Sequence, residues 1–472
     1  GGTTTTPLGP RATETPESGP TAPVGRDNTS QDSLGDPYYA HLGNGGYDVQ
    51  HYALDLQVDP TTNVVAGSVM ITAQATASLP EFNLDFQTLE VQEVAVQNAP
   101  ATYRRSQREL TIVPASPVAH GTTFTTTIHY RGQPVPVASP SAGFGMGWNN
   151  VNGYIFVVSE PEGASGWFPA NDHPRDKATY SFRITVPEPY VVAANGLLRE
   201  TTDNGETTTF HWETTSPMAS YLATVHIGRF AVATEEGPDG LPIRNYFAQE
   251  LPPAADEPFE RTAEMIGFFS SRFGPYPFEA YGVVVPNVRL GFALETQTLS
   301  VFGSEMAGSG NPASATRREL VAAHELAHQW FGNSVSVENW QDIWLNEGFA
   351  TFAEWLWQEQ TAGRPAYNDV VRRTYEAVQR RQLPPPGTPP AGDLFNQSVY
   401  QRGGLTVAAL RAQVGDAAFF RILQTYTQHY RYGNASTAEF IALAEAVSGQ
   451  ELDALFTAWL YDPQLPRLPA LS

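Results

Sequence analysis

The chain has no cysteine. That excludes disulfide staples and thiolate metal sites, and it leaves the redox compartment open. Lysine is almost as scarce: Lys177 is the single one among 27 basic residues, set against 49 acidic ones, for a formal net charge of −22. A surface this acidic disfavours nucleic acid and anionic membranes as partners. It mildly favours cationic peptides, although solubility is the plainer use of such charge. No apolar run approaches the roughly 18–20 residues that span a bilayer, so no integral membrane segment is expected.

With 472 residues the chain is too long for one ordinary core, and two or three domains are expected. Residues 1–35 are rich in Thr, Pro, Gly and Ser, with almost nothing apolar to bury, and read as a disordered tether. The sequence opens on Gly1 rather than Met. Together with the Thr/Pro-rich stretch this suggests an exported bacterial protein, secreted or lipid-anchored. A cytoplasmic tail or a cloning remnant is the competing reading.

From 36 to 232 the pattern is that of strands. Tyr52–Val58, Ser68–Ala73, Thr123–Tyr130 and Tyr180–Pro187 alternate apolar with mostly polar positions, and turn residues recur between them. An all-β domain of antiparallel sheets is expected there. From 233 to 472 the texture is helical, with helix-like spacing over 257–272, 316–332, 347–360, 366–382, 403–413 and 437–447. Thr316-Arg317-Arg318-Glu319 reads as a capping box opening the second of these, and Gly332-Asn333 as its stop. The proline-rich segment 384–390 reads as a loop. The fold class expected is therefore α+β: an N-terminal β domain followed by a mainly helical one.

His324-Glu325-Leu326-Ala327-His328 is an H-E-x-x-H motif on the expected helix. Histidines four apart lie on one helical face, so both imidazoles can reach one zinc ion, with Glu325 placed as general base toward water. A carboxylate from a second segment would complete a His₂Glu set and leave a fourth position open, as a catalytic site requires. Glu347 begins the next helical stretch, and Tyr400-Gln401-Arg402-Gly403 follows later. The chemistry expected is amide hydrolysis with one Zn2+ per chain and peptides as substrates. A His₂Glu set also binds cobalt or manganese, and metal availability decides among them.

The stretches His324–Asn333 and Trp340–Thr351 closely resemble the aminopeptidase N and leukotriene hydrolase family of zinc metallopeptidases. Trp167–Asp172 and Lys177–Tyr180 resemble that family's N-terminal saddle-shaped domain, so the likeness spans about 45 to 465. The resemblance implies a thermolysin-like catalytic domain with His324, His328 and Glu347 as zinc ligands and Glu325 as general base. It implies that Tyr400 stabilises the oxyanion. Glu295, in Phe292-Ala293-Leu294-Glu295-Thr296, aligns with the glutamate of the family's Gly-x-Met-Glu-Asn motif and would bind the substrate's α-ammonium. Glu160, in Ser159-Glu160-Pro161-Glu162-Gly163, aligns with a second amine-binding position.

Two departures stand out. The family's Gly and Asn in the amine-binding motif are Phe292 and Thr296 here, so the family's side-chain preference does not carry over. The chain also ends soon after Phe456–Leu460, without the large C-terminal helical domain of longer relatives, and a more open cleft accepting longer peptides is expected.

Weaker features carry plainer readings. Glu354, seven residues after Glu347, is placed to hydrogen-bond a ligand imidazole. His120, His129 and His173 read as surface or core histidines, and Gly143-Phe144-Gly145-Met146-Gly147 as a loop. Asn28, Asn396 and Asn434 head formal glycosylation sequons of little consequence in a bacterial protein. Three rival functions stand beside the aminopeptidase: an endopeptidase without an amine lock, a non-catalytic peptide-binding relative, and epoxide hydrolysis, for which the sequence shows no lipid channel.

Overall fold

A computed structural model describes residues 33–308 and 312–471. Apart from Ser33 onward, the expected tether lies outside these residues, as does the Asn28 sequon. No helix of the described residues is long and apolar enough to cross a membrane.

The N-terminal part is built on a large twisted sheet. Its strands run, in spatial order, Leu197–Asp203, Thr207–Glu213, Lys177–Pro187, Tyr47–Asp59, Val64–Ala75, Thr123–Gly132, Glu90–Val96 and Ala99–Pro100. The alternation read in the sequence becomes alternation of burial: in Tyr47–Asp59 the residues Tyr52, Leu54, Leu56 and Val58 are buried while Gln57 is exposed. The sheet is not wholly antiparallel, as had been expected. Tyr47–Asp59 pairs in parallel with Lys177–Pro187. Parallel neighbours need a long crossover, and the intervening hairpins supply it. Local alternation cannot show the direction of so distant a partner.

A smaller sheet orders Val191–Ala194, Val225–Gly228, Tyr154–Val158 and Gly147–Val151. Its strand Tyr154–Val158 is buried along its whole length and runs directly into Ser159-Glu160. That continuity carries a glutamate from a rigid strand to the face of the second domain.

After Gly228 the chain forms a five-stranded sheet, with one helix between its second and third strands in sequence, and then further helices. The sheet orders Phe230–Glu236, Pro242–Ala248, Val283–Val285, Ser300–Phe302 and Ala293–Leu294. The helical reading of this region missed the sheet, three of whose strands, Val283–Val285, Ala293–Leu294 and Ser300–Phe302, are two or three residues long and leave no period to detect. The helices are α1 (Thr262–Phe273), α2 (Pro312–Ala327), α3 (Trp344–Ala362), α4 (Arg364–Arg381), α5 (Gln397–Val414), α6 (Asp416–His429) and α7 (Thr437–Ser448). Helix α6 was not anticipated, although Phe419, Ile422, Leu423 and Tyr426 sit at helical spacing and are all buried.

The expected capping box at Thr316 is absent. Helix α2 already runs from Pro312, and the Thr316 hydroxyl donates to the Pro312 carbonyl within it. Glu319 instead accepts from Trp357 Nε1 and from Arg261. The caps lie elsewhere: Asn396 accepts from Ser398 N at the start of α5, and Ser436 with Glu439 forms a capping box on α7. These caps are members of the two described sequons.

Helices α3 and α5 meet through glycine. A Cβ on Gly348 would stand 2.9 Å from the backbone of Gly403, so the helices approach more closely than larger residues allow. Glu347 and Tyr400, close to these glycines in sequence, are thereby brought near each other. The two parts of the molecule are tied by residues near the described N-terminus. Asp36 accepts from Trp340 N at 2.9 Å and lies 3.1 Å from His173 Nε2, and Arg175 donates to Leu34 O and Glu338 O.

Candidate active site

The H-E-x-x-H motif occupies the last turn of α2 and the residue after it. Ala322, Ala323, Leu326 and Ala327 pin this turn in the core, and His324, Glu325 and His328 are themselves buried. The imidazole centroids are 4.8 Å apart. Glu347, in the first turn of α3, closes the triangle: one carboxylate oxygen lies 3.2 Å from His324 Nε2 and 3.4 Å from His328 Nε2. Donors bound at about 2.0–2.2 Å to one tetrahedral zinc stand roughly 3.3–3.5 Å from each other, so the set fits that ion.

The outer edges of both rings support the same reading. His324 Nδ1 lies 2.7 Å from Glu354 Oε1, and His328 Nδ1 lies 3.0 Å from the Phe331 carbonyl. Acceptors at Nδ1 keep the proton there and leave the Nε2 lone pairs directed at the common point. The site is also short of positive charge. Burial alone would raise Glu347, yet His328 and His324 hold its carboxyl down to about 2. Burial opposes charge on His328 too, but Glu295 and Glu347 push it up to about 9. A pocket that draws protons onto buried imidazoles is one that a divalent cation would satisfy.

Four further groups face this point. Burial pushes Glu325 up to about 8, with the two histidines pulling the other way. Tyr400, in the first turn of α5, has its ring 6.0 Å from that of His324, and burial holds its hydroxyl well above the ordinary range, so it stays a donor. Glu160 and Glu295 approach from the β domain and from the end of Ala293–Leu294. Carboxylate oxygens of Glu160, Glu295 and Glu347 all lie within 4.8 Å of one another. Oε1 of Glu160 and Oε1 of Glu295 are buried and have no hydrogen-bond partner among the described residues. Burial raises both groups, Glu160 well above the ordinary range, as two such neighbours require.

Every residue singled out in the sequence for this site is therefore in one cluster. Sequence reasoning missed the residues that hold Glu295 by its main chain. Asn333 Nδ2 and Gln329 Nε2 donate to the Glu295 carbonyl at 2.6 and 3.2 Å. Both lie in the motif stretch, but nothing in their spacing shows that they reach another segment.

The match to known families decides the identity. The Peptidase M1 N-terminal domain matches residues 48–222, and the Peptidase family M1 domain matches residues 257–459. An M1 zinc metallopeptidase from Deinococcus radiodurans is 32% identical and superposes with a TM-score of 0.84, covering 93% of this chain and 99% of its own. The chain belongs to peptidase family M1.

The Deinococcus radiodurans enzyme is also known as a variant bound to a Tyr-Ser-Ala substrate, 33% identical to this chain. Aminopeptidase N of Streptomyces lividans is 29% identical over 333 residues, which are 65% of this chain and 38% of that protein. Aminopeptidase M1-A of rice is 27% identical over 446 residues, 87% of this chain and 50% of that protein. The matches thus span half or less of the length of these curated relatives.

Proposed function

We propose that this M1 peptidase is a zinc-dependent aminopeptidase that releases N-terminal residues from peptides. The observation that carries the reading is the pair of buried carboxyl groups beside the His₂Glu set, Glu160 and Glu295, each with an oxygen that has no hydrogen-bond partner among the described residues. Unpaired negative charge is costly to bury. An α-ammonium entering between them supplies the missing partner and offsets its own desolvation. It also sets register: with the amine held there, the first peptide bond is the one presented at the metal ligands.

His324, His328 and Glu347 would hold the zinc, which when bound acidifies water toward neutrality and polarises a carbonyl. Glu325 takes the proton from the attacking water and returns one to the leaving amine; its raised affinity for a proton suits both transfers. The Tyr400 hydroxyl donates to the oxygen that gains charge at the tetrahedral stage. Glu354 keeps His324 in its tautomer and orientation.

The test is selectivity in Glu295→Ala and Glu160→Ala. Each is expected to raise KM for a free peptide while leaving its Nα-acetylated twin as poor a substrate as before. Unchanged use of free N-termini in both variants would remove the amine lock and favour an endopeptidase.

A further inference from the structure

The single lysine of the chain sits where the β domain meets the end of the metal-binding helix. Lys177 opens the strand Lys177–Pro187, held there by pairing with Ala219. Its ammonium donates to the carbonyls of Asn333 and Ser334 at 3.0 and 3.1 Å. Among the described residues no carboxylate shares in the contact, and burial alone pushes the ammonium down to about 7. A methionine of similar length would fill the same space without burying a cation. What the lysine adds is the pair of N–H···O bonds.

Those bonds fasten an unusual turn. After α2 the backbone is wound by i→i−5 bonds: Asn333 N to His328 O, Ser334 N to Gln329 O and Val335 N to Trp330 O. Gly332 takes φ of +121° within it, and the Tyr221 hydroxyl donates to the Gly332 carbonyl. The turn aims the Asn333 side chain at the Glu295 carbonyl, 2.6 Å away, where Gln329 also donates. His328 Nδ1 stands 3.8 Å from Glu295 Oε1, too long for a hydrogen bond, and among the described residues that oxygen has no hydrogen-bond partner. Its carboxylate therefore sits where its main chain is held.

We propose that Lys177 is a positioning residue for substrate-amine recognition, acting from the β domain through the Asn333 turn on the main chain of Glu295. The inference rests on Glu295 binding the α-ammonium. It explains why a buried cation stands in the seam between the two parts of the molecule. The β domain then contributes to recognition twice, through Glu160 directly and through Lys177 at one remove.

The test is a pair of double-mutant cycles on the full chain: Lys177→Met with Glu295→Gln, and Asn333→Ser with Glu295→Gln. Zinc content and Tm are measured alongside kcat and KM for a free peptide. Lys177→Met is expected to keep one zinc and raise KM about tenfold, the loss of one charged hydrogen-bonding group, with a smaller change in kcat. In the Glu295→Gln background it is expected to add nothing to KM, because the group it positions is already disabled. Asn333→Ser tests the same relay without disturbing the buried ammonium, and serves if the lysine variant does not accumulate. KM penalties that multiply in the double variants, or loss of kcat or zinc with KM unchanged, would overturn the proposal. If Glu295→Gln alone leaves the preference for free N-termini intact, the amine-binding reading itself fails, and the relay has no target.

Discussion

Glu354 Oε1 stands 2.7 Å from His324 Nδ1, on the ring edge opposite the nitrogen that faces Glu347. On the proposed reading, one glutamate of α3 would complete the ligand set while another, two turns on, would fix the ligand that it meets. Glu354→Ala should weaken zinc binding by about 10–100-fold while the fold remains. Competition with a chromophoric chelator measures this directly, and an unchanged affinity would assign Glu354 to the helix surface.

Glu325→Gln retains the size and one hydrogen-bonding oxygen of the side chain but cannot take up a proton. It should bind one zinc per chain and lose nearly all turnover. Metal analysis and initial rates on the same sample decide it; substantial turnover would mean that another group is the base.

Tyr400→Phe removes one hydroxyl from the first turn of α5. The expected effect is a fall in kcat on the order of 10²–10³ with little change in KM, because the bond is made mainly to the charge that develops during reaction. A change confined to KM would place Tyr400 in substrate binding instead.

Acid should loosen the tie between the two parts. Burial lowers His173 below its ordinary 6.5, against the pull of Asp36. Asp36 itself is lowered from 3.8: burial raises it, but His173 and the backbone N–H groups of Trp340 and Tyr39 prevail. In both cases the unfolded chain binds the proton more readily than the folded one, so stability falls with pH, first below the unfolded histidine value and again below the unfolded aspartate value. Thermal unfolding from about pH 7.5 to about pH 5 should show a smaller drop in Tm for His173→Asn than for the wild type. Equal drops would show that other groups govern the acid limb.

How far the sequence could be read follows from how local each feature is. The two histidines and Glu325 share one helical turn, so their spacing alone shows that they converge. Glu354 follows Glu347 on one face of α3 and was legible for the same reason. The strands of the β domain announced themselves by alternation, but the parallel pairing of Tyr47–Asp59 with Lys177–Pro187 did not. Glu295 and Glu160 came only through family resemblance, since each sits on a different short segment and meets the site through tertiary structure. Lys177 and Asn333 were in the quoted motifs, yet their bonds run between segments 156 residues apart. The capping box at Thr316 misled because a matching local pattern lay inside a helix that begins earlier.

The central claim is the amine lock, and one experiment addresses it most directly. A peptide mixture, half with free N-termini and half Nα-acetylated, is digested by the zinc-loaded protein and the products are read by mass spectrometry. Stepwise loss of single N-terminal residues from the free peptides alone is the result predicted. Internal cuts in both sets would contradict it.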